Sequence, residues 1–434
     1  MANGDDFHLP ESGKFANHAE SASDIYVARD PFHKIENHSH DMAMHMPTSF
    51  LSLLAVLPVF ISAARAQIAP GELSAPSLTI SDGNLNFIVH SSVSGRNYQL
   101  QYCDTLADGT WQDLGVVRSG DGSDLVISTP NIAGVARRFY RLALVEAPAA
   151  PEGFSLISAG GFQMGNSLSS SGEGYSDELP VHSVNVSEFY MAKYTVTKSV
   201  WDKVITWGAS NGYTDLPSGD GKASDHPVHT VSWWAVVKWC NARSQMDNLT
   251  PCYYTDAAQT SVFKTGTSSI DNTMVRWSAN GYRLPTEAEW EKAARGGMSG
   301  KRFPWGDVIN HSYANYYNFN YSYESPQNHG YHPTYATGTS PYTSPVGSFE
   351  ANSYGLYDIE GNVYEWCWDC YSNTYYTSSP SSDPRGAVSG PYRVVRGGSW
   401  DDYADYCRIA FRDGSLPDNG DDRLGFRPIR SCVP

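Results

Sequence analysis

The residues best equipped for chemistry in this 434-residue chain lie mostly in its second half. Cys367 and Cys370 form a C-x-x-C pair, and two thiols at that spacing can exchange a disulfide or hold a soft metal. No second pair and no alternation of strand and helix accompanies them, so they are read as structural sulfurs. His226 and His229 invite a metal reading. With no third ligand nearby at suitable spacing, loop packing and hydrogen bonding account for them instead. The third group is the stretch Arg396–Arg427. There Arg408, Arg412, Arg423 and Arg427 alternate with Asp402, Asp405, Asp413, Asp418, Asp421 and Asp422, an arrangement that ion pairs within the loop can pin.

These side chains need elements to position them. Two short strands, Tyr392–Val395 and Leu424–Pro428, are expected to flank the arginine-rich loop, and Gly397–Gly398 supplies backbone that can bend sharply or approach another chain closely. A helix is expected near Thr197, and another in AVVKWCNARS, with Ala235, Val236, Trp239 and Cys240 on one side. The clearest local signal is Gly281–Gly297. Thr286 is an N-cap, Glu289 stands three residues on as its capping-box partner, and Gly296–Gly297 offers the left-handed stop.

Composition sets the outer limits. Thirty Lys plus Arg against 46 Asp plus Glu give a net charge of −16, which disfavours nucleic acid as a partner. Aromatics make up 13% of the chain, with 28 Tyr, 12 Trp and 38 Gly, as suits a loop-rich fold whose core is built from rings with polar tips. Seven cysteines are too few for a disulfide scaffold and, being odd, leave at least one unpaired or intermolecular.

Five segments are expected. Residues 1–45 are polar and His-rich, read as disordered or as a non-native extension ahead of Met46. Residues 46–66 carry the apolar run LSLLAVLPVFIS and an Ala64-Arg65-Ala66 site, the pattern of a signal peptide. Export to a secreted or periplasmic location follows, with membrane contact only if that segment stays uncleaved. Residues 77–145 alternate in short runs joined by Gly/Asp/Ser turns, arguing a small antiparallel β-sandwich of fibronectin type III-like size. A Pro/Ala linker spans 146–153, and an irregular second domain runs from 154 to 432.

That second domain resembles the formylglycine-generating (sulfatase-modifying factor) family. The motifs that carry the resemblance are G-G-x-F-x-M-G from Gly160, E-x-P-x-H from Glu178, and R-L-P-T-E-A-E-W-E from Arg283. They continue with F-P-W-G from Phe303, N-x-x-G-L-x-D-x-x-G-N-V-Y-E-W from Asn352, then R-G-G-S-W, R-x-A-x-R and G-F-R at the end. The resemblance implies an α+β, C-type-lectin-related domain with little regular secondary structure. It also implies calcium, held by Asp358, the Gly361 and Val363 carbonyls and Glu365, with Asn315 and the Tyr316 carbonyl opening a second site. Hard Ca²⁺ wants six to eight oxygens, and a tight turn at Gly361–Asn362 can aim carbonyls between two carboxylates.

The family's oxidases hold Cu(I) through two cysteines just after the G-G-S signature. Here the first position is Asp402, the second is Cys407 if no gap is placed before it, and Ser399 keeps the signature serine. A carboxylate is a poor ligand for soft Cu(I), so copper is not expected. Ser399, Asp402 and Cys407 remain the catalytic candidates, and Tyr364 replaces a pocket tryptophan. The expected bridges are Cys407 to Cys367 or Cys370, or Cys240 to Cys252 or Cys432, the last echoing a family bridge. Two functions stand open: a secreted, calcium-stiffened binding or scaffold protein for peptide or carbohydrate, and a protein-modifying oxidoreductase with an altered site.

Overall fold

The computed structural model describes residues 60–63, 77–81, 84–92, 96–104, 110–120, 124–130, 138–145, 150–168, 172–324 and 329–432. Residues 1–45, expected to be disordered, and most of the expected signal segment lie outside these. The chain divides into two compact units, Met1–Ala147 and Pro148–Pro434. No helix among the described residues is long and apolar enough to cross a membrane.

The first unit contains β1 (Phe60–Ala63), β2 (Ser77–Ser81), β3 (Asn84–Val89), β4 (Asn97–Cys103), β5 (Gln112–Ser119), β6 (Leu125–Pro130) and β7 (Phe139–Val145). They form a four-stranded sheet ordered β1-β7-β4-β5 and a three-stranded sheet ordered β2-β3-β6. In β3 burial alternates residue by residue, placing Leu85, Phe87 and Val89 in the core with Tyr98, Leu100, Ile127, Leu142 and Leu144. One feature was not anticipated. Phe60–Ala63, the tail of the apolar run read as an export signal, pairs in parallel with Arg141–Leu144.

The second unit mixes short strands with three helices among its described residues. Its strands are β8 (Phe154–Ile157), β9 (Gly160–Met164), β10 (His182–Val186), β11 (Phe189–Ala192), β12 (Tyr282–Arg283), β13 (Tyr364–Cys370), β14 (Arg393–Arg396), β15 (Asp413–Ser415), β16 (Leu424–Gly425) and β17 (Ile429–Ser431). One four-stranded sheet runs β12-β17-β11-β8, a second runs β15-β14-β13-β16, and β9 pairs with β10. The strands flanking the arginine-rich loop are therefore not partners. β13 lies between β14 and β16 because its seven residues supply a longer, almost fully buried edge for both.

Helix α1 (Lys198–Ala209) starts at the Thr197 cap. α2 (Trp233–Met246) buries nearly every side chain from Trp233 to Ser244, so the expected one-sided helix is a central one, enclosed all round. α3 (Glu287–Arg295) has the expected capping box between Thr286 and Glu289 and ends at Gly296 in the left-handed conformation, φ 55°. Its charged residues are buried too, and they form the polar centre of the unit.

That centre corrects the expectation of ion pairs within the arginine-rich loop. Arg408 pairs bidentately with Glu178, Arg412 with Glu287, and Arg427 with Glu365. Only Arg423 pairs locally, with Asp421, and that pair is half-exposed. A buried guanidinium needs an equally buried carboxylate, and the loop's aspartates lie nearer the surface than these glutamates. The disulfide expectation is corrected as well: Cys240, Cys252, Cys367, Cys370, Cys407 and Cys432 form no disulfide. Cys407 packs against Gly398, while Cys367 lies in β13 within a different apolar cluster.

Candidate functional site

The register of β13 and β14 builds the site. Glu365 lies opposite Arg396 and Trp366 opposite Val395, so the turn preceding β13 meets the Gly-Gly loop following β14. Gly361 N–H donates to the Gly397 carbonyl at 2.7 Å, and Trp400 N–H to the Asn362 carbonyl at 3.0 Å. Gly398 has φ +71°, and a Cβ there would come within 2.7 Å of Cys407 Sγ. Only glycine lets the loop close over the thiol. Asn362 N–H in turn donates to the Asn315 carbonyl at 2.8 Å, and Asn362 Oδ1 accepts from Ser344 N–H at 2.9 Å. The structure thus gathers the 315–316, 361–365 and 397–407 segments around one turn.

The three catalytic candidates lie together. Ser399, fully buried, donates its hydroxyl proton to Asp402 Oδ2, and Asp401 N–H donates to Ser399 Oγ at 3.3 Å. Burial pushes the Asp402 carboxyl up, against the opposing pull of Ser399 and Arg423. Burial, with the Asp402 charge second, also pushes the Cys407 thiol well up. Tyr364 beside them is likewise driven up by burial and then by Asp402. Cys407 and Tyr364 therefore keep their protons. Nucleophilic sulfur chemistry needs the thiolate, which this environment disfavours. Native protein is accordingly expected to leave Cys407 unmodified by iodoacetamide in peptide mapping, whereas urea-unfolded protein labels it. Rapid native labelling would show a reactive thiol.

The calcium expectation divides. Asp358, at φ +50°, accepts from the Gly347 and Phe349 amides, and burial pushes its carboxyl up to about 6. Such a carboxylate retains acceptor capacity that a hard cation can use. Glu365 is already matched: Arg427 reaches it with Nη2 at 2.8 Å and Nε at 3.0 Å, and Trp290 Nε1 donates at 2.8 Å. Gly361 and Val363 stand on the turn between them. At the second expected site, buried Asn315 Oδ1 has no hydrogen-bond partner, whereas the Tyr316 carbonyl bonds His311 Nε2 at 3.1 Å. In residue type the donors fit calcium at Asp358 and Asn315, and Glu365 would share its charge with Arg427.

His226 and His229 are bonded to Thr343 and Thr230 hydroxyls, each at 2.9 Å. Among the described residues no group of three or more His, Cys, Asp or Glu forms a metal cluster. Sequence reasoning missed the aromatic wall beside the cluster. Tyr331 donates its hydroxyl to Asp401 at 2.8 Å and lies 5.8 Å from the Trp400 ring, while Tyr317 and Phe319 lie 5.6 and 4.8 Å from Tyr403. The signal for it was present in the density of tyrosine between Tyr313 and Tyr342.

Comparison with known proteins follows the second unit. Residues 143–432 match the pattern of the sulfatase-modifying factor enzyme 1-like domain. The formylglycine-generating enzyme of Streptomyces coelicolor is 32% identical, over 64% of this chain and 90% of that protein. The chaperone protein LppX of Paenibacillus barcinonensis is also 32% identical, over 62% of this chain and 87% of that one. Among solved structures, Treponema denticola variable protein 1 is 29% identical, with a TM-score of 0.48 over 64% of this chain and 94% of that one.

Proposed function

The chain belongs to the sulfatase-modifying factor enzyme 1-like family, and on that premise we propose that it is an exported binding or scaffold member, without the copper chemistry of the family's oxidases. One observation carries this reading. Where two accessible thiolates are needed, the chain offers the carboxylate of Asp402, engaged by Ser399, and a single thiol, Cys407, that is fully buried. A hard carboxylate does not replace a soft thiolate for Cu(I). The similarity to a protein named as a chaperone supports a non-oxidase role at the same level of identity.

The ligand face in this reading is the aromatic and acidic wall around Trp400, Asp401 and Tyr331, suited to a peptide or a carbohydrate. Rings give apolar area at low entropy cost, and carboxylates accept hydrogen bonds from hydroxyls or amines. The C-type-lectin-related second domain presents this wall, and the two sheets of the first unit serve as a fibronectin type III-like spacer or adhesive module. Counting copper per chain after Cu(I) loading and dialysis tests the proposal. Well under one copper per chain is expected, and one per chain, lost in Cys407→Ser, would overturn it.

A second reading, a protein-modifying oxidoreductase with an altered site, draws on the same cluster, because Ser399, Asp402, Tyr364 and Cys407 do lie together. Calcium belongs to both readings. It would sit at Asp358 with the carbonyls of the following turn and supply rigidity to the loop stitched to Gly397 and Trp400. Chelator is therefore expected to lower the melting temperature of the wild type and to leave Asp358→Ala unchanged. Equal melting of wild type with and without chelator would remove calcium from the account.

A further inference from the structure

In the first unit, β7 pairs along its whole length with β4, from Phe139 opposite Cys103 to Val145 opposite Asn97. Its outer edge receives no strand from further along the chain, because β7 ends at Val145 and the unit at Ala147. In seven-stranded immunoglobulin-like sandwiches the seventh strand lies beside the sixth at this edge. Here β1, from the other end of the unit, takes the place: Phe60–Ala63 pairs in parallel with Arg141–Leu144.

An open strand edge presents a row of unpaired N–H and C=O groups, and proteins blunt such edges with charge, proline or a bulge. β5, the opposite edge of the same sheet, has these devices. Asp113 and Arg118 are exposed, Gly115 has φ +69°, and the register with β4 shifts between Tyr98 and Leu100. β7 reads FYRLALV, with neither Pro nor Gly. Its single charge, Arg141, is bonded through Nε to Gln101 of β4 at 2.7 Å. The edge keeps the regular, mostly apolar backbone on which an added strand gains main-chain hydrogen bonds.

We propose that the outer edge of β7 is a docking site for an extended, uncharged segment of a partner protein, added in parallel through its backbone. In the full chain Phe60–Ala63 fills this edge in cis. Cleavage after Ala66, which belongs to the exported reading, removes that strand and opens the edge. The proposal rests on that reading for the opening and not for the edge itself. The segment it takes is proline-free and of the F-I-S-A kind, and it can be longer than β1, since Phe139, Tyr140 and Val145 extend beyond the residues that β1 covers.

Fluorescence anisotropy with a labelled peptide of residues 59–65, VFISAAR, tests the site. Three proteins are compared: the full chain, the full chain carrying Ile61→Pro and Ser62→Pro, and exported protein, whose N-terminus is read by intact mass. Saturable binding is expected for the double-proline variant and for exported protein beginning at Gln67. The full-length wild type, its edge filled, is expected to bind about tenfold or more weakly. Peptide carrying the same two prolines should also lose about tenfold or more, because one of any two adjacent residues in an added strand turns its N–H to the edge. Exported protein that still holds residues 60–63 would sink the cleavage reading alone, and the double-proline variant would then decide the edge. No binding by that variant, equal binding of the proline-bearing peptide, or a dimer of the variant that excludes the peptide would each overturn the proposal.

Discussion

Glu291→Ala is expected to destabilise the second unit by about 3–5 kcal/mol, the range for stripping one partner from a buried ion pair. Glu291 is fully buried on α3 and holds two guanidinium groups at once. Arg295 reaches Oε1 with Nη2 at 2.6 Å, Arg396 bonds Oε2, and Gly165 N–H adds a bond at 2.8 Å. Burial alone would raise this carboxyl, but Arg295 and Arg396 outweigh it and hold the group below the usual glutamate value. Removing it strands Arg295 in the interior and leaves Arg396, which also carries the Ile409 and Phe411 carbonyls of the arginine-rich loop, with only the 3.4 Å approach of Glu287. Urea unfolding of Glu291→Ala should show the loss. Lys301→Ala, which breaks an exposed pair with Asp307, should stay within about 1 kcal/mol of wild type. Similar midpoints for the two variants would deny the network its role. Replacing Glu291 and Arg396 together by Met should recover part of the loss, because only Arg295 is then left without its carboxylate.

That network also marks the limit of what the sequence discloses. The helix at Thr286 was legible because its cap, box and stop lie within eleven residues, and local chemistry decides them. Ser399 and Asp402 were named only through the family resemblance, and the hydrogen bond that joins them within one turn was not read from the sequence. Nor was the partner of Arg408. An acidic residue stands three positions before it at Asp405, yet its partner is Glu178, 230 residues away. Alternating charge says that arginines will be paired and leaves the partners to the tertiary fold. The same holds for β14 and β16, whose common partner, β13, lies outside the stretch that they flank.

Copper-loaded protein incubated under air with a C-x-P-x-R peptide is expected to leave the peptide thiol unchanged by mass spectrometry. The argument is one of ligand type and access. The oxidases of the family use one sulfur pair both to hold Cu(I) and to capture the substrate cysteine. This chain offers one sulfur, buried beneath Gly398 so closely that an added Cβ would come within 2.7 Å of it. Burial raises that thiol well above its usual range, and the neighbouring Asp402 charge opposes a second negative charge beside it. Soft coordination and thiol exchange both need the thiolate, so both are suppressed together. Conversion of thiol to aldehyde by wild type, abolished in Cys407→Ser, would reverse the conclusion and favour the oxidoreductase reading. Asp402→Cys separates ligand from pocket. It removes the opposing charge and places a second thiol beside Cys407, so retention of Cu(I) through dialysis is expected to rise toward one per chain. Retention unchanged from wild type would mean that Gly398, packed over Cys407, closes the pocket independently of the missing ligand.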